Sequence, residues 1–232
     1  MALMLCACSS GEGGGDVGRA ATDRQRERDA MVREQIVARG ISDPAVLDAL
    51  RSVPRERFVP ADARAEAYRD GPLSIGHRQT ISQPYIVALM TELIQPHGSM
   101  SVLEVGTGSG YQAAVLAELV ESVYTIEIVR PLGERAATLL AQLGHDNVHT
   151  RIGDGFDGWP DAAPFDAIVV TAAPAEIPQP LLDQLAVGGR LVIPLGESSQ
   201  NLVVVERSAD GYRRRLVTPV RFVPMTGKAE ER

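Results

Sequence analysis

Short apolar runs alternate with amphipathic segments through the middle of the chain, between residues 101 and 194. This rhythm predicts strands at Ser101–Val105, Val123–Ile128, Val148–Ile152, Ala167–Thr171 and Arg190–Pro194. The segments between them predict helices at Gln112–Val120, Arg130–Leu143 and Pro180–Gln184. Strands that alternate with helices form a parallel sheet covered by helices on both faces. We therefore predict a doubly wound, Rossmann-like α/β fold with a mostly parallel sheet.

The pattern changes after Gly189, where strand-like segments follow one another without helices. These segments are Leu202–Glu206, Arg213–Thr218 and Pro219–Val223. A Ser-Ala-Asp-Gly turn at 208–211 separates the first from the second. Consecutive strands joined by a tight turn pair in an antiparallel manner. We therefore predict an antiparallel hairpin at the C-terminal end of the sheet.

The part of the chain that precedes the first strand is predicted to be a small helical subdomain that begins near Asp29. Helical patterns cover Met31–Gly40, Ser42–Val53 and Thr80 to about Leu93, with Met31, Ile36 and Val37 on one face of the first. Residues 54–79 are predicted to form an irregular loop. We expect one domain at 29–232, divided into a helical substrate-side part at 29–98, a cofactor-binding core at 99–200 and C-terminal strands at 201–232.

The first 28 residues predict a disordered or signal-like tail, because a short apolar stretch precedes a flexible Gly-rich linker. Leu5–Cys8 resembles the lipidation box of bacterial lipoproteins, but no basic segment precedes it and the apolar stretch is short for a signal. A mis-assigned start codon is the other explanation. We expect a cytoplasmic protein, with a lipid-anchored or exported one as the alternative if Leu5–Cys8 is a genuine signal.

Composition narrows the functional classes. The chain has 232 residues, 44% of them apolar and 23% charged, as in a globular domain. Its net charge of -7 argues against a nucleic-acid partner, which needs a basic face. No run of about 20 apolar residues predicts a transmembrane segment. The two cysteines and four histidines show no metal-ligand spacing, so no metal is expected. We expect a monomer.

Three glycines follow the first predicted strand at alternate positions, Gly106, Gly108 and Gly110. A strand, a Gly-rich turn and a helix together form a frequent binding site for nucleotide-type cofactors, although an ordinary tight turn also fits. Glu127 ends the second strand, about 20 residues further on, where an acid accepts hydrogen bonds from a ribose diol. The loop and the acid together predict a nucleoside cofactor.

The spacing of this loop argues against a dinucleotide. Tyr111 occupies the position of the third glycine in the dinucleotide pattern, and no Gly-Lys-Ser/Thr follows. Glu104 precedes the glycines, and an acid there suits a positively charged ligand better than a pyrophosphate. The arrangement resembles the first motif of the class I S-adenosylmethionine methyltransferases.

Two further candidates leave alternatives open. Asp154, between two glycines, is either turn chemistry or a contact to an adenine amino group. Ser82 is a candidate helix N-cap, since Pro84 follows it, and also a candidate ligand for an anion at the helix N-terminus; the two roles are compatible. After the fourth strand, Thr171–Pro178 lacks the Asn/Asp, proline and aromatic residues with which DNA-base methyltransferases hold an amine. This absence also counts against a nucleic-acid substrate.

Taken together, the motifs resemble those of the protein-L-isoaspartate (D-aspartate) O-methyltransferase family. The residues that carry the resemblance are TISQPY (80–85), VLEVGTGSGYQ (102–112), GDGFDGWPDAAPFDAI (153–168), VTAAPAEIP (170–178) and VRFVP (220–224). The resemblance spans about Met31 to Met225. It implies transfer of a methyl group from S-adenosylmethionine to the free α-carboxylate of an isoaspartyl or D-aspartyl residue in damaged proteins. The ester then closes to a succinimide, which hydrolyses partly to normal aspartate.

The resemblance also assigns site residues. It implies Ser82 as the active-site residue. Cofactor binding is expected at the carboxyl ends of the strands, by Glu104, Gly106, Thr107, Gly108, Gly110, Glu127, Asp154, Gly155 and Thr171. Substrate binding is expected from Ile81, Ser82, Gln83, Pro84, Val220 and Phe222.

The chemistry of a carboxylate acceptor fits a site without a catalytic histidine. A carboxylate with a pKa of about 4 is ionised at neutral pH, so no general base is needed. Positioning and desolvation remain as the tasks of the protein. A small-molecule methyltransferase and a non-catalytic S-adenosylmethionine-binding module stay open as alternatives on the same fold.

Overall fold

A seven-stranded sheet forms the centre of the computed structural model, which describes residues 14–231. The nine strands of these residues are β1 Leu73–Gly76, β2 Gln79–Ile81, β3 Ser101–Val105, β4 Ser122–Glu127, β5 Val148–Ile152, β6 Phe165–Val170, β7 Leu185–Leu195, β8 Gln200–Ser208 and β9 Gly211–Val220. The main sheet has the order β5-β4-β3-β6-β7-β8-β9, and β1 and β2 form a separate hairpin. Strands β3 to β7 pair in parallel, whereas β8 is antiparallel to both of its neighbours.

Six α-helices accompany the sheet within the described residues. They are α1 Gly14–Met31, α2 Pro44–Ser52, α3 Pro84–Leu93, α4 Tyr111–Ala117, α5 Arg130–Gln142 and α6 Gln179–Gln184. None of them is long and apolar enough to cross a membrane. The predicted α/β fold with a mostly parallel sheet and antiparallel C-terminal strands is confirmed.

The central strands are buried on both faces, which explains their continuous apolar sequence. Val102 and Leu103 point to opposite faces of β3, and both are fully buried. Val102 packs in a core with α2, α3 and α4, whereas Leu103 packs in a second core that includes α6. The sheet therefore holds the carboxyl ends of β3, β4 and β6 rigidly next to one another.

The predicted C-terminal strands differ from the structure in one respect. We expected two strands, Arg213–Thr218 and Pro219–Val223, but residues 211–220 form the single strand β9. Pro219 lies inside β9 and pairs with Asn201 of β8. Because β9 is the edge strand of the sheet, a proline there need not remove a ladder hydrogen bond. Residues 221–223 then leave the sheet.

The N-terminal part is more helical than the sequence predicted. We expected order from Asp29, but α1 begins at Gly14, while the Leu5–Cys8 motif lies outside the described residues. Arg28 of α1 is buried and donates a hydrogen bond to the Ser52 carbonyl at 3.1 Å, so a polar contact docks this helix. The expected helical face is also wrong at Val37, which is 43% exposed because the chain changes to a π-turn and then a 3₁₀ turn.

The segment before α3 also corrects the prediction. A helix was expected from Thr80, but Gln79–Ile81 is strand β2, and α3 begins at Pro84. The β1–β2 turn places His77 and Arg78 at positive φ angles of 53° and 59°, which non-glycine residues rarely adopt. The loop expected at residues 54–79 thus contains a hairpin strand.

Candidate active site

The glycine loop joins β3 to α4 above the carboxyl end of the sheet. Gly106 has a φ of 97°, and a Cβ there would overlap the Thr171 hydroxyl. That hydroxyl donates to the Gly106 carbonyl at 2.6 Å, so Thr171 fixes the start of the loop. At the other end, a Cβ on Gly110 would lie 3.3 Å from that of Ala136 in α5. The loop is therefore held between β6 and α5.

Glu127 is buried at the end of β4 and organises the same loop. Its Oε2 accepts a hydrogen bond from the Gly108 amide at 2.7 Å, and its Oε1 accepts one from the Val129 amide at 2.8 Å. A carboxylate has about four acceptor sites, so two remain after these bonds. Glu127 thus combines a structural role with spare acceptor capacity.

A cavity of about 70 Å³ lies beside this carboxylate, and we call it the Glu127 cavity. Five of the predicted cofactor residues line it: Gly106, Gly108, Glu127, Gly155 and Thr171. A Cβ on Gly155 would overlap Val105, so glycine lets the two loops approach. Strand β2 contributes Gln79 and Thr80 to the wall, and the ends of the central strands contribute Val105, Ile126, Ile128 and Ala172. The rest of the wall is formed by residues 223–226, which the sequence did not indicate as cofactor neighbours.

Glu104 lies fully buried at the end of β3, and its surroundings satisfy only half of its carboxyl group. Thr125 donates to Oε2, and Thr125 and Thr107 share a hydrogen bond of 2.6 Å. Oε1 has no partner among the residues that the structure describes. Burial, with a further contribution from the Glu127 charge, raises the pKa of Glu104 to about 8. The carboxyl group is therefore mainly protonated at neutral pH, and a cation beside its Oε1 would favour the ionised form.

Glu104, Thr107 and Ser82 line a narrow cavity of about 30 Å³, the Glu104 cavity. Thr80 and Thr171 line this cavity, the Glu127 cavity and the large groove described next. The three spaces are therefore neighbours that share walls. The buried acid and Ser82 face the same small space.

The groove, about 680 Å³ in volume, runs between the start of α3 and the end of β9; we call it the α3–β9 groove. Its wall includes four predicted substrate residues, Ser82, Gln83, Val220 and Phe222. Ile81 and Pro84, also predicted, are buried, and Ile81 lines the Glu104 cavity instead. Sequence reasoning missed Pro72, Thr80, Ile86 and Pro219, which also line the groove. Arg221 and Val223 line it as well, and both lie inside the VRFVP motif.

Ser82 stands where the α3–β9 groove meets the Glu104 cavity. The N-cap alternative is wrong, because Gln83 is the N-cap of α3 and its first turn shows no side-chain capping bond. We find no hydrogen bond to the Ser82 hydroxyl within residues 14–231. Its carbonyl accepts a hydrogen bond of 2.7 Å from the guanidinium of Arg55. The hydroxyl is thus available to a ligand.

The side chain of Asp154 stabilises the turn that follows it and also binds the C-terminal segment. Its Oδ1 accepts from the Phe156 amide and its Oδ2 from the Lys228 amide, both at 2.9 Å. The first bond caps a 3₁₀ turn, and the second holds the C-terminal segment against the loop. Turn chemistry, one of the two alternatives, is therefore present. A contact from Asp154 to an adenine group stays a prediction.

In the part of the chain that the structure describes, no group of three or more His, Cys, Asp or Glu side chains is placed so that it could hold a metal ion.

Comparisons with known proteins agree on one family. The family model for protein-L-isoaspartate(D-aspartate) O-methyltransferase matches residues 26–230. A protein-L-isoaspartate O-methyltransferase of Opitutus terrae is 56% identical over 211 residues, covering 89% of this chain and 91% of that protein. A second, from Nitrosospira multiformis, is 56% identical over 213 residues and covers 90% of each chain.

Solved structures show the same relationship. One protein-L-isoaspartate O-methyltransferase superposes with a TM-score of 0.80 at 28% identity, covering 88% of this chain and 67% of that one. Another, from Plasmodium falciparum in complex with S-adenosyl-L-homocysteine, superposes with a TM-score of 0.76 at 26% identity. It covers 86% of this chain and 98% of that one.

Proposed function

The chain belongs to the protein-L-isoaspartate(D-aspartate) O-methyltransferase family, and on this premise we propose that it methylates the free α-carboxylate of L-isoaspartyl and D-aspartyl residues in damaged proteins. S-adenosylmethionine is the methyl donor. The observation that carries the proposal is the position of Ser82, between an open groove and the space beside a buried acid.

The residues present fit such a donor. When bound, S-adenosylmethionine supplies a methyl group on a positively charged sulfur. The unpaired Oε1 of Glu104 would stabilise the positive charge of such a donor, and the glycine loop would leave no side chain between the backbone and the ligand. Glu127 keeps acceptor sites for a ribose diol beside its two amide bonds. These residues would hold the donor, together with Gly106, Gly108, Gly155 and Thr171.

The acceptor carboxylate binds at the inner end of the α3–β9 groove. Ser82 donates its hydroxyl proton in a hydrogen bond to one carboxylate oxygen, which leaves the other oxygen free to attack. The acceptor is ionised at neutral pH, so the site needs no general base. Transfer of the methyl group from a sulfonium to this carboxylate would convert two opposite charges into a neutral ester and a neutral thioether, and a buried, water-poor site would favour that change. Placement of the acceptor is the main contribution of this chain.

The shape of the groove accounts for a polypeptide substrate. Its volume of about 680 Å³ is open to solvent and exceeds what a single small carboxylate fills. Gln83 on one wall and Val220 and Phe222 on the other line the path of the peptide. Isoaspartate lengthens the backbone by one methylene group, so the free α-carboxylate becomes a side branch that reaches Ser82. The methyl ester then closes spontaneously to a succinimide, and hydrolysis yields aspartate in part.

We further propose a cytoplasmic monomer with one catalytic domain from about residue 29. The cofactor is made in the cytoplasm, which supports that compartment. Within the residues that the structure describes, the exposed large apolar side chains are Val37, Ile128, Val187, Tyr212 and Leu216. Only Tyr212 and Leu216 share an element, the strand β9, and this scatter supports a monomer. Light scattering of the purified protein tests the monomer, and fractionation of cells tests the compartment.

The experiment uses labelled S-adenosylmethionine and two synthetic peptides that differ only in isoaspartate or aspartate at one position. We expect base-labile label in the isoaspartyl peptide alone. Label in neither peptide, with cofactor binding intact, would reject the substrate and leave a small-molecule methyltransferase or a non-catalytic binding module.

A further inference from the structure

Arg55 is the largest fully buried side chain of the described chain, with an exposed fraction of 0%. Burying a guanidinium is costly unless its charge and its hydrogen-bond donors are compensated. No carboxylate forms an ion pair with Arg55 anywhere in residues 14–231. Burial lowers the pKa of Arg55 to about 10, so the group is still charged at neutral pH. Such a residue calls for an explanation other than a salt bridge.

The guanidinium instead connects three separate segments. Its Nε donates to the Ala67 carbonyl at 2.8 Å, and its Nη2 donates to the Ser82 carbonyl at 2.7 Å. Its Cζ lies 4.8 Å from the ring centroid of Tyr111, within the range of a cation–π contact. Tyr111 begins α4 directly after the glycine loop. Arg55 therefore spans from the cofactor loop to Ser82.

The bond to Ser82 matters because little else holds that residue. Ser82 lies between β2 and α3, outside both elements. The following residue, Gln83, caps α3 through its carbonyl, and Pro84 has no amide hydrogen. Apart from the bond to Arg55, we find no hydrogen bond to Ser82 in the described part of the chain. The direction of the Ser82 hydroxyl therefore depends on a backbone that Arg55 fixes.

We propose that Arg55 is a positioning residue, which holds the Ser82 backbone so that the hydroxyl faces the acceptor carboxylate. This inference rests on the role given to Ser82 under the proposed function. Arg55 lines none of the three site cavities, so it acts through the Ser82 carbonyl. The planar guanidinium is required because one group must reach two carbonyls and lie over a ring.

The test is a double-mutant cycle with Arg55→Lys, Ser82→Ala and the combined variant. A lysine keeps the charge but is a compact donor that cannot bridge both carbonyls. We expect Arg55→Lys to lower kcat/KM for the isoaspartyl peptide by about 10- to 100-fold, and to add little to the loss in Ser82→Ala. Rates are expressed per folded protein, and S-adenosylhomocysteine affinity, which we expect to be unchanged, is measured by calorimetry.

Arg28→Lys is the matched control. Arg28 is also buried, at 7% exposure, and it also donates to a backbone carbonyl and keeps one nitrogen without a partner among the described residues. Its carbonyl belongs to Ser52, which lines none of the three site cavities. We expect this variant to lower the melting temperature without lowering kcat/KM. Equal losses of kcat/KM in the two arginine variants would overturn the proposal.

Arg55→Gln keeps the test possible if Arg55→Lys does not fold. A neutral amide is less costly to bury, and it retains a donor for the Ser82 carbonyl. We then expect a smaller kcat loss than for Arg55→Ala, again absent in the Ser82→Ala background. Losses that multiply in the combined variant would refute positioning through Ser82. If Ser82→Ala alone has no effect on kcat/KM, the proposed role of Ser82 is rejected, and the positioning role of Arg55 is rejected with it.

Discussion

Replacing Glu127 with glutamine tests the cofactor side of the site. The carboxylate accepts hydrogen bonds from two backbone amides, that of Gly108 at 2.7 Å and that of Val129 at 2.8 Å. Glutamine has the same shape but only one acceptor oxygen, so it turns an N–H group toward one of these amides. A buried amide left without an acceptor costs about 1–3 kcal/mol. We expect the free energy of unfolding to fall within that range, as measured in urea.

Cofactor affinity should fall together with stability. The glycine loop loses a tether, and a ribose diol loses an ionised acceptor. A loss of about 1.4–2.8 kcal/mol in binding corresponds to a 10- to 100-fold higher Kd for S-adenosylhomocysteine. Isothermal titration calorimetry measures this constant directly. Glu134→Gln is the control, because Glu134 lies exposed on α5 and pairs only with Arg130 in the described structure.

An analogue of S-adenosylhomocysteine that lacks the ribose 2′-hydroxyl distinguishes the two roles of Glu127, which are binding the diol and holding the glycine loop. If Glu127 binds the diol, removing the hydroxyl weakens binding to the wild-type protein but changes little in the variant. If Glu127 only holds the loop, both proteins lose the same factor. An unchanged Kd for S-adenosylhomocysteine in Glu127→Gln would refute both roles.

Three further predictions concern single residues. Ser82→Ala should lower kcat/KM for an isoaspartyl peptide by about one to two decades, because a hydrogen bond to a charged group is lost, while the melting temperature stays unchanged. An unaltered rate would show that Ser82 has no role in catalysis. Gly106→Ala should cost about 1–2 kcal/mol of stability for its positive φ and more for the overlap with Thr171, and denaturant unfolding that matches wild type would contradict the loop geometry. The raised pKa of Glu104, about 8, means that the folded state binds this proton more tightly than the unfolded state does. Wild-type stability should therefore fall relative to Glu104→Gln as the pH rises from about 5 to about 8, and parallel pH curves would show that Glu104 titrates normally.

The main sheet was predictable because local patterns determine it. The predicted strands Ser101–Val105 and Val148–Ile152 match β3 and β5 residue for residue. Buried parallel strands such as β3 need a largely apolar sequence, and glycines mark the turn that follows each of the two strands. The same logic placed Glu104 and Glu127 near one edge of the sheet.

The parts that sequence reasoning missed depend on contacts between distant segments. The β1–β2 turn uses His77 and Arg78 at positive φ instead of glycine or asparagine, so it carries no turn signal. Arg55 lies 27 residues before Ser82, and nothing in its local sequence indicates burial. Helix α1 has no strong apolar periodicity, and Arg28 docks it through the Ser52 carbonyl. Local sequence patterns cannot predict such contacts between residues that are far apart in the chain.

The most direct test of the central claim follows the repair reaction itself. The purified protein is incubated with S-adenosylmethionine and a synthetic isoaspartyl peptide, and the peptides are separated by chromatography over time. The account predicts a methyl ester, then a succinimide, then accumulating aspartyl peptide, with each step absent when S-adenosylmethionine is omitted. An isoaspartyl peptide that persists unchanged, in the presence of protein that binds S-adenosylhomocysteine, would contradict it.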